Sequence, residues 1–183
     1  MNYSYKCTKV EASTRKEAIS KITTDSNYIE VNYIAEDNYK NYIGKKVNVK
    51  DFAYLVDLDL KELPITFGTV GGSFNCSCNK LTSLKGCPKK VGKNFDCSCN
   101  SLTSLKGCPK KVKCFYCDLN KLTSLKGSPR EVENNFWCSD NYLTSLEGCP
   151  KKVNGAFACS HNKKQFTKED VEKVCKVGRD IIV

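Results

Sequence analysis

Apolar residues recur along this chain at fixed long intervals, and the interval is more regular than any helical or strand period inside it. From Leu60 onward a pair of leucines three apart (Leu60/Leu63, Leu81/Leu84, Leu102/Leu105, Leu122/Leu125, Leu143/Leu146) precedes a valine (Val70, Val91, Val112, Val132, Val153). A phenylalanine and a cysteine two residues apart then follow: Phe74/Cys76, Phe95/Cys97, Phe115/Cys117, Phe136/Cys138, Phe157/Cys159. A spacing of two puts Phe and Cys on one face of a short strand. The whole pattern repeats every 21 residues, except that the unit beginning at Leu102 has 20, having lost a residue between Val112 and Phe115. A fixed period of this length predicts a solenoid in which each copy is one slice and the strands of successive slices stack into a parallel sheet.

The polar positions recur as well. An asparagine closes every unit (Asn79, Asn100, Asn120, Asn141, Asn162). Its amide suits the open backbone groups where the chain turns after a strand, so stacked copies would form a ladder. The step Gly86-Cys87-Pro88 and its equivalents supply turn chemistry on the outer side.

Phe-x-Cys-x-x-Asn-x-Leu resembles the leucine-rich-repeat consensus Leu-x-Leu-x-x-Asn-x-Leu, with Phe and Cys in the first two leucine places. The short outer half "LTSL…P" is similar to the compact repeats of bacterial effectors, whose ligase domain has no room here. The wording "LTSLKGCPKKV…F.CS.N" resembles small leucine-rich-repeat proteins of tailed bacteriophages. The resemblance covers 60–163 and implies an α/β leucine-rich-repeat solenoid with its stacked parallel sheet on a concave face. It implies a scaffold for binding other macromolecules, with the partner unspecified.

Both ends of the chain depart from the repeat. In 1–59, "NYSYKCTKV" alternates like a strand, Thr14 with Glu17 forms a capping box ahead of apolar Ala18, Ile19 and Ile22, and "NYIEVNYIAE" alternates again. This predicts a small β-α-β unit, either a cap over the first open slice or a separate module. In 164–183, Thr167 is placed to cap a helix running to Val177, and "VGRDIIV" mimics "VGKNFDC", so that Ile181 stands for Phe and Val183 for Cys in a last strand.

Thirteen cysteines and an N-terminus without an apolar leader point to free thiols in a reducing cytoplasm, the host's if the chain is phage-encoded. No stretch is apolar enough to span a membrane. Cys76/Cys78, Cys97/Cys99 and Cys114/Cys117 have spacings that zinc uses. Yet Cys76, Cys97 and Cys117 fall at inward strand positions, and the outer-turn Cys87, Cys108 and Cys149 give way to Ser128 in one unit, so packing is the stronger reading and no metal or cofactor is expected. Cys114 is expected near the exposed face, where it would be reactive. A single histidine, His161, without a positioned nucleophile, and no phosphate-binding glycine loop argue against an enzyme.

The net charge of +10 is unevenly spread: 63–130 hold twelve Lys or Arg and only Asp96 and Asp118 as acids. Lys89, Lys90, Lys110, Lys111, Arg130, Lys151 and Lys152 recur at one register and would stack into a basic stripe able to hold nucleic acid or another polyanion. The outward strand positions are mostly small and polar, but Tyr116 and the single tryptophan, Trp137, share a register in adjacent units. Ringed by Asn75, Asn94, Asp96, Cys114, Asp118 and Asn135, they form a candidate protein-binding surface. The leading expectation is a non-catalytic scaffold that grips another protein, probed in a phage setting as a host defence or regulatory protein; the stripe is the alternative.

Overall fold

The structure, a computed structural model, describes residues 2–5, 8–11 and 27–183. The capping-box helix expected near 14–24 lies outside them. The expected single N-terminal strand is two, β1 (Asn2–Tyr5) and β2 (Thr8–Glu11), paired antiparallel.

From residue 29 onward the chain winds as a parallel β-solenoid of about seven turns. One side is a seven-stranded sheet of β5 (Ala53–Tyr54), β7 (Phe74–Asn75), β9 (Phe95–Asp96), β11 (Phe115–Tyr116), β13 (Phe136–Trp137), β15 (Phe157–Ala158) and β17 (Ile181–Ile182). In each repeat this is the Phe-containing strand. A second side carries the valines, in two four-stranded sheets. The first joins β3 (Ile29–Val31), β4 (Lys46–Val49), β6 (Thr66–Val70) and β8 (Lys90–Val91); the second joins β10 (Lys111–Val112), β12 (Glu131–Val132), β14 (Lys152–Val153) and β16 (Lys176–Val177). The leucine pairs and the Gly-Cys-Pro step close the third side without regular structure.

Identical residues stack on one another through this register. Phe74, Phe95, Phe115, Phe136 and Phe157 are fully buried, with successive ring centroids 5.1–5.6 Å apart. Burying such a side chain stabilises by roughly 1.5–3 kcal/mol, and stacked rings add to that. The spine ends on smaller residues, Ala53 opposite Phe74 and Ile181 opposite Phe157.

The asparagines tie neighbouring turns together. Asn120 Nδ2 donates to the carbonyls of Cys117 and Asp118 in its own turn and of Cys97 in the preceding one (3.2, 3.1 and 3.0 Å), while its Oδ1 accepts from Leu102 N–H at 2.9 Å. Asn79, Asn100, Asn141 and Asn162 repeat this pattern. The residue before each asparagine (Cys78, Cys99, Leu119, Asp140, His161) takes a positive φ of 50–54°, the turn that aims the amide inward.

Two expectations are corrected. The α/β class and the helical caps give way to a nearly all-sheet molecule, in which the one α-helix among the described residues is α1 (Lys168–Glu172). An outer arc holding Pro and a glycine at φ 89–102° is too short and too interrupted for a helix. α1 does begin on the expected Thr167 cap, which forms a capping box with Asp170, but it stops short of Val177 because Lys176 and Val177 join the ladder against Lys152 and Val153. Ile29–Val31 pairs in parallel with Lys46–Val49, and Ala53–Tyr54 with Phe74–Asn75, so the ladder runs across residues 59 and 60 without a break.

The valine side is interrupted once. β8 and β10 lie side by side but exchange no ladder hydrogen bonds. In five other turns the residue after the valine donates to the preceding valine's carbonyl, as Lys50 to Val31, Gly71 to Val49, Gly92 to Val70, Glu133 to Val112 and Gly178 to Val153 (2.8–3.1 Å). After Val112 that residue is the one the 20-residue unit has lost; Lys113 instead donates to Lys93 O at 2.8 Å, the bond normally made one position later.

Candidate functional site

The seven-stranded face is built of outward side chains from two-residue strands, so its chemistry is set by one or two positions per turn. Tyr116 and Trp137 occupy the same register on β11 and β13, with ring centroids 5.1 Å apart and planes at 71°. Trp137 is 40% exposed and Tyr116 half-buried. Around them opens a depression of about 560 Å³ lined by Asp96, Ser98, Tyr116, Asp118, Leu119, Trp137, Ser139, Asp140, Ala158 and Ile182.

Of the residues singled out in the sequence, this depression unites Asp96, Tyr116, Asp118 and Trp137. Asn75, Asn94, Asn135 and Cys114 stay outside its lining. Asn75 Oδ1 accepts from Ser77 N–H at 2.8 Å and Asn135 Oδ1 from Ala156 N–H at 3.0 Å, which gives both a role in the backbone of the face. Asn94 is half-buried, with an Oδ1 that no group bonds. Cys114 is corrected: at 7% exposure it is buried and not a reactive surface thiol, because the shortened turn after Val112 draws it inward. Sequence reasoning missed Leu119, Asp140 and Ile182. The first two sit at the positive-φ position before the ladder asparagine, and a leucine there, 56% exposed, stands out against Cys78, Cys99, Asp140 and His161 in the same place.

The acids of the face are held in place. Asp96 Oδ1 accepts from Ser98 N–H (3.0 Å) and Oγ–H (2.6 Å), and Asp118 Oδ1 accepts from Ser139 N–H (3.0 Å). Burial pushes the Asp118 carboxyl up to about 6, with the charges of Asp96 and Asp140 adding to the shift against the Ser139 hydrogen bond. Burial, with Cys114 beside it, pushes the Tyr116 hydroxyl up to about 12. His161 Nδ1 lies 3.4 Å from Asp140 Oδ1.

The basic residues stand on the other side. Lys89, Lys90, Lys110, Lys111 and Lys113 line a cleft of about 660 Å³ at the break between β8 and β10, with Glu133 as its acid and Val91, Gly92 and Val112 among its lining. Lys111 also pairs with Glu131 and Glu133, both at 3.3 Å. Arg130, Lys151 and Lys152 are exposed further along and lie outside the cleft lining.

The twelve cysteines among the described residues are all free thiols. Cys97, Cys117 and Cys138 each donate to a carbonyl of the next turn at 3.3–3.4 Å, and burial raises their pKa well above the ordinary thiol range. In the outer turn Cys87 and Cys108 donate to Gly107 O and Gly127 O (3.0 and 2.9 Å), and Ser128 does the same to Gly148 O (2.6 Å). A shared hydrogen bond therefore explains why Ser replaces Cys there. Among the described residues no three His, Cys, Asp or Glu side chains gather as a metal site would require, and no helix is long and apolar enough to cross a membrane.

Comparison with protein-family models, with curated proteins and with solved structures returns no match to this chain.

Proposed function

We propose that this chain is a non-catalytic binding scaffold of the leucine-rich-repeat kind that holds another protein on its seven-stranded face, centred on Tyr116 and Trp137. The observation that carries the reading is the exposed Trp137 set edge-on to Tyr116 in a depression continued by exposed Leu119 and Ile182. Large apolar side chains clustered on a rigid surface and rimmed by small polar groups are the usual composition of an interface hot spot. The likeness of the repeats to tailed-phage proteins makes a host protein the partner to test first.

The test is affinity capture from bacterial lysate with nuclease present, comparing the wild type with Trp137→Ala and with charge reversal at Lys89, Lys90, Lys110 and Lys111. The proposal predicts a protein retained by the lysine variant and lost by Trp137→Ala. Capture unchanged by Trp137→Ala overturns it.

One observation favours a second reading, a phosphate-rich polyanion. The only break in the valine ladder among the described turns coincides with the cleft of five lysines. That reading predicts nuclease-sensitive capture, lost in the lysine variant and falling steeply with salt.

A further inference from the structure

We infer that the depression around Tyr116 and Trp137 takes a cationic side chain, lysine or arginine, presented by a basic segment of the partner protein. This rests on the protein-binding reading of the same face and names the chemistry of its occupant.

Charge placement is the first argument. The chain carries 30 Lys and Arg against 20 Asp and Glu, yet the depression is lined by three carboxylates, Asp96, Asp118 and Asp140, and by no Lys or Arg. Lys93 and Lys113 lie in the turns leading into β9 and β11, outside the lining. The second argument is the aromatic pair at the centre. A purely apolar occupant would cover the Tyr116 and Trp137 rings but would strip water from half-buried Asp96 and Asp118 with nothing in return. An anionic occupant would meet three like charges. A cation satisfies both features at once: it sits against an aromatic ring, where the ring quadrupole attracts it, and neutralises the carboxylates beside it. The third argument is the state of Asp118. Its carboxyl, raised by burial, faces Asp96 on β9 and Asp140 on the following turn, with His161 against Asp140; no ammonium or guanidinium lines the depression to hold the charge. An incoming cation supplies that counter-charge, so binding strengthens as pH rises through about 6.

The chain's single tryptophan reports directly on occupancy. Short peptides bearing arginine or lysine, their citrulline and norleucine counterparts, and an acidic peptide are titrated while Trp137 emission is followed. The inference predicts a saturable change with the cationic peptides, about tenfold weaker with the neutral counterparts, and lost in Asp96→Asn/Asp118→Asn, with the Lys89/Lys90/Lys110/Lys111 reversal leaving it intact. In a His161→Asn background, affinity for the arginine peptide should rise between pH 5 and 7.5, and Asp118→Asn should flatten that rise. Neutral or acidic peptides binding as well as cationic ones overturns the inference and leaves the protein-binding reading standing. A cationic response that survives the double aspartate variant, or no response to any peptide, overturns it as well. Failure of the protein-binding reading itself shows separately, as capture of the partner unaffected by Trp137→Ala.

Discussion

Asn120 is the residue at which the solenoid's internal bonding can be tested most sharply. Its amide lies at 6% exposure, and its two protons are shared among the carbonyls of Cys97, Cys117 and Asp118. In Asn120→Ala those carbonyls keep other donors: Asn100 for Cys97 (3.3 Å), Asn141 for Cys117 (3.0 Å) and Cys99 N–H for Asp118 (2.9 Å). Leu102 N–H keeps none, since its bond is to Asn120 Oδ1 alone. One orphaned buried N–H costs about 1–3 kcal/mol, and the weakened carbonyls together add about 1 kcal/mol, giving an expected loss of roughly 3 kcal/mol. Asn162→Ala, at a half-buried position where water can replace the amide, should cost about half as much. Asn120→Asp sharpens the test, because a carboxylate can still accept from Leu102 but turns its second oxygen toward three carbonyls. At pH 7 it should be at least as damaging as Asn120→Ala. The assay is equilibrium urea unfolding followed by both far-UV circular dichroism and Trp137 fluorescence, with coincident curves required before the midpoints are converted to free energies. An Asn120→Ala loss under about 1 kcal/mol, or an Asp variant milder than the Ala variant, would refute the ladder account.

Three further outcomes follow from the same geometry. Asp118 has a folded-state pKa of about 6 against an ordinary 3.8, so its contribution to stability is complete below 3.8 and is lost as pH rises through about 6. Asp118→Asn, whose Oδ1 can still accept from Ser139 N–H, should therefore stabilise the fold at pH 7.5 by about 1–2 kcal/mol after allowance for partial exposure and do little at pH 3.5; thermal melts at both pH values decide it, and destabilisation at pH 7.5 would count against it. Cys108→Ser should change stability by less than about 0.5 kcal/mol because Ser128 already makes the equivalent bond, whereas Cys117→Ser, fully buried in the core, should cost about 1–2 kcal/mol by urea unfolding. Cys78 and Cys99 are the two exposed thiols among the described residues, so replacing both with serine should remove two equivalents from the fast phase of labelling by an aromatic disulfide reagent.

The repeat made most of the core legible in advance. Leu81, Leu84, Val91, Phe95 and Cys97 are buried as their period requires, and Asn100 bonds across turns as its recurrence implies. The second sheet was harder to see, because each repeat contributes a single inward residue there, as Val91 in Lys90–Val91, whereas Phe and Cys two apart mark the other sheet. The strand at Ile29–Val31 was seen, but its pattern shows only that it is a strand and says nothing about which strand it joins, here Lys46–Val49. Helix content was over-read at 173–177, where the capping signal is local and the competing ladder against Lys152–Val153 is not. On the candidate face, the pairing of Tyr116 with Trp137 follows from register alone. Leu119 and Asp140 entered the depression through a backbone turn with positive φ, which the sequence marks only by the following asparagine.

A single missing residue connects the two surfaces that stand out from the repeat. The turn from Val112 to Phe115 is one residue shorter than its equivalents, and this same turn of the solenoid carries Lys110, Lys111 and Lys113 on the valine side and Tyr116, Asp118 and Leu119 on the other. The N–H that would bond Val91 O is missing from this turn, at the place where β8 and β10 exchange no ladder hydrogen bonds and Cys114 is buried. If the gap is only a scar of repeat duplication, inserting a glycine after Val112 should rejoin the valine ladder and stabilise the protein by roughly one net hydrogen bond, about 1 kcal/mol, leaving binding at both surfaces unchanged. If the lost residue shapes the surfaces, the same insertion should stabilise the fold and yet weaken binding at one of them. Urea unfolding combined with the peptide titration and with oligonucleotide binding separates these cases. An insertion that destabilises the fold would refute the claim that the missing N–H is what parts the sheet.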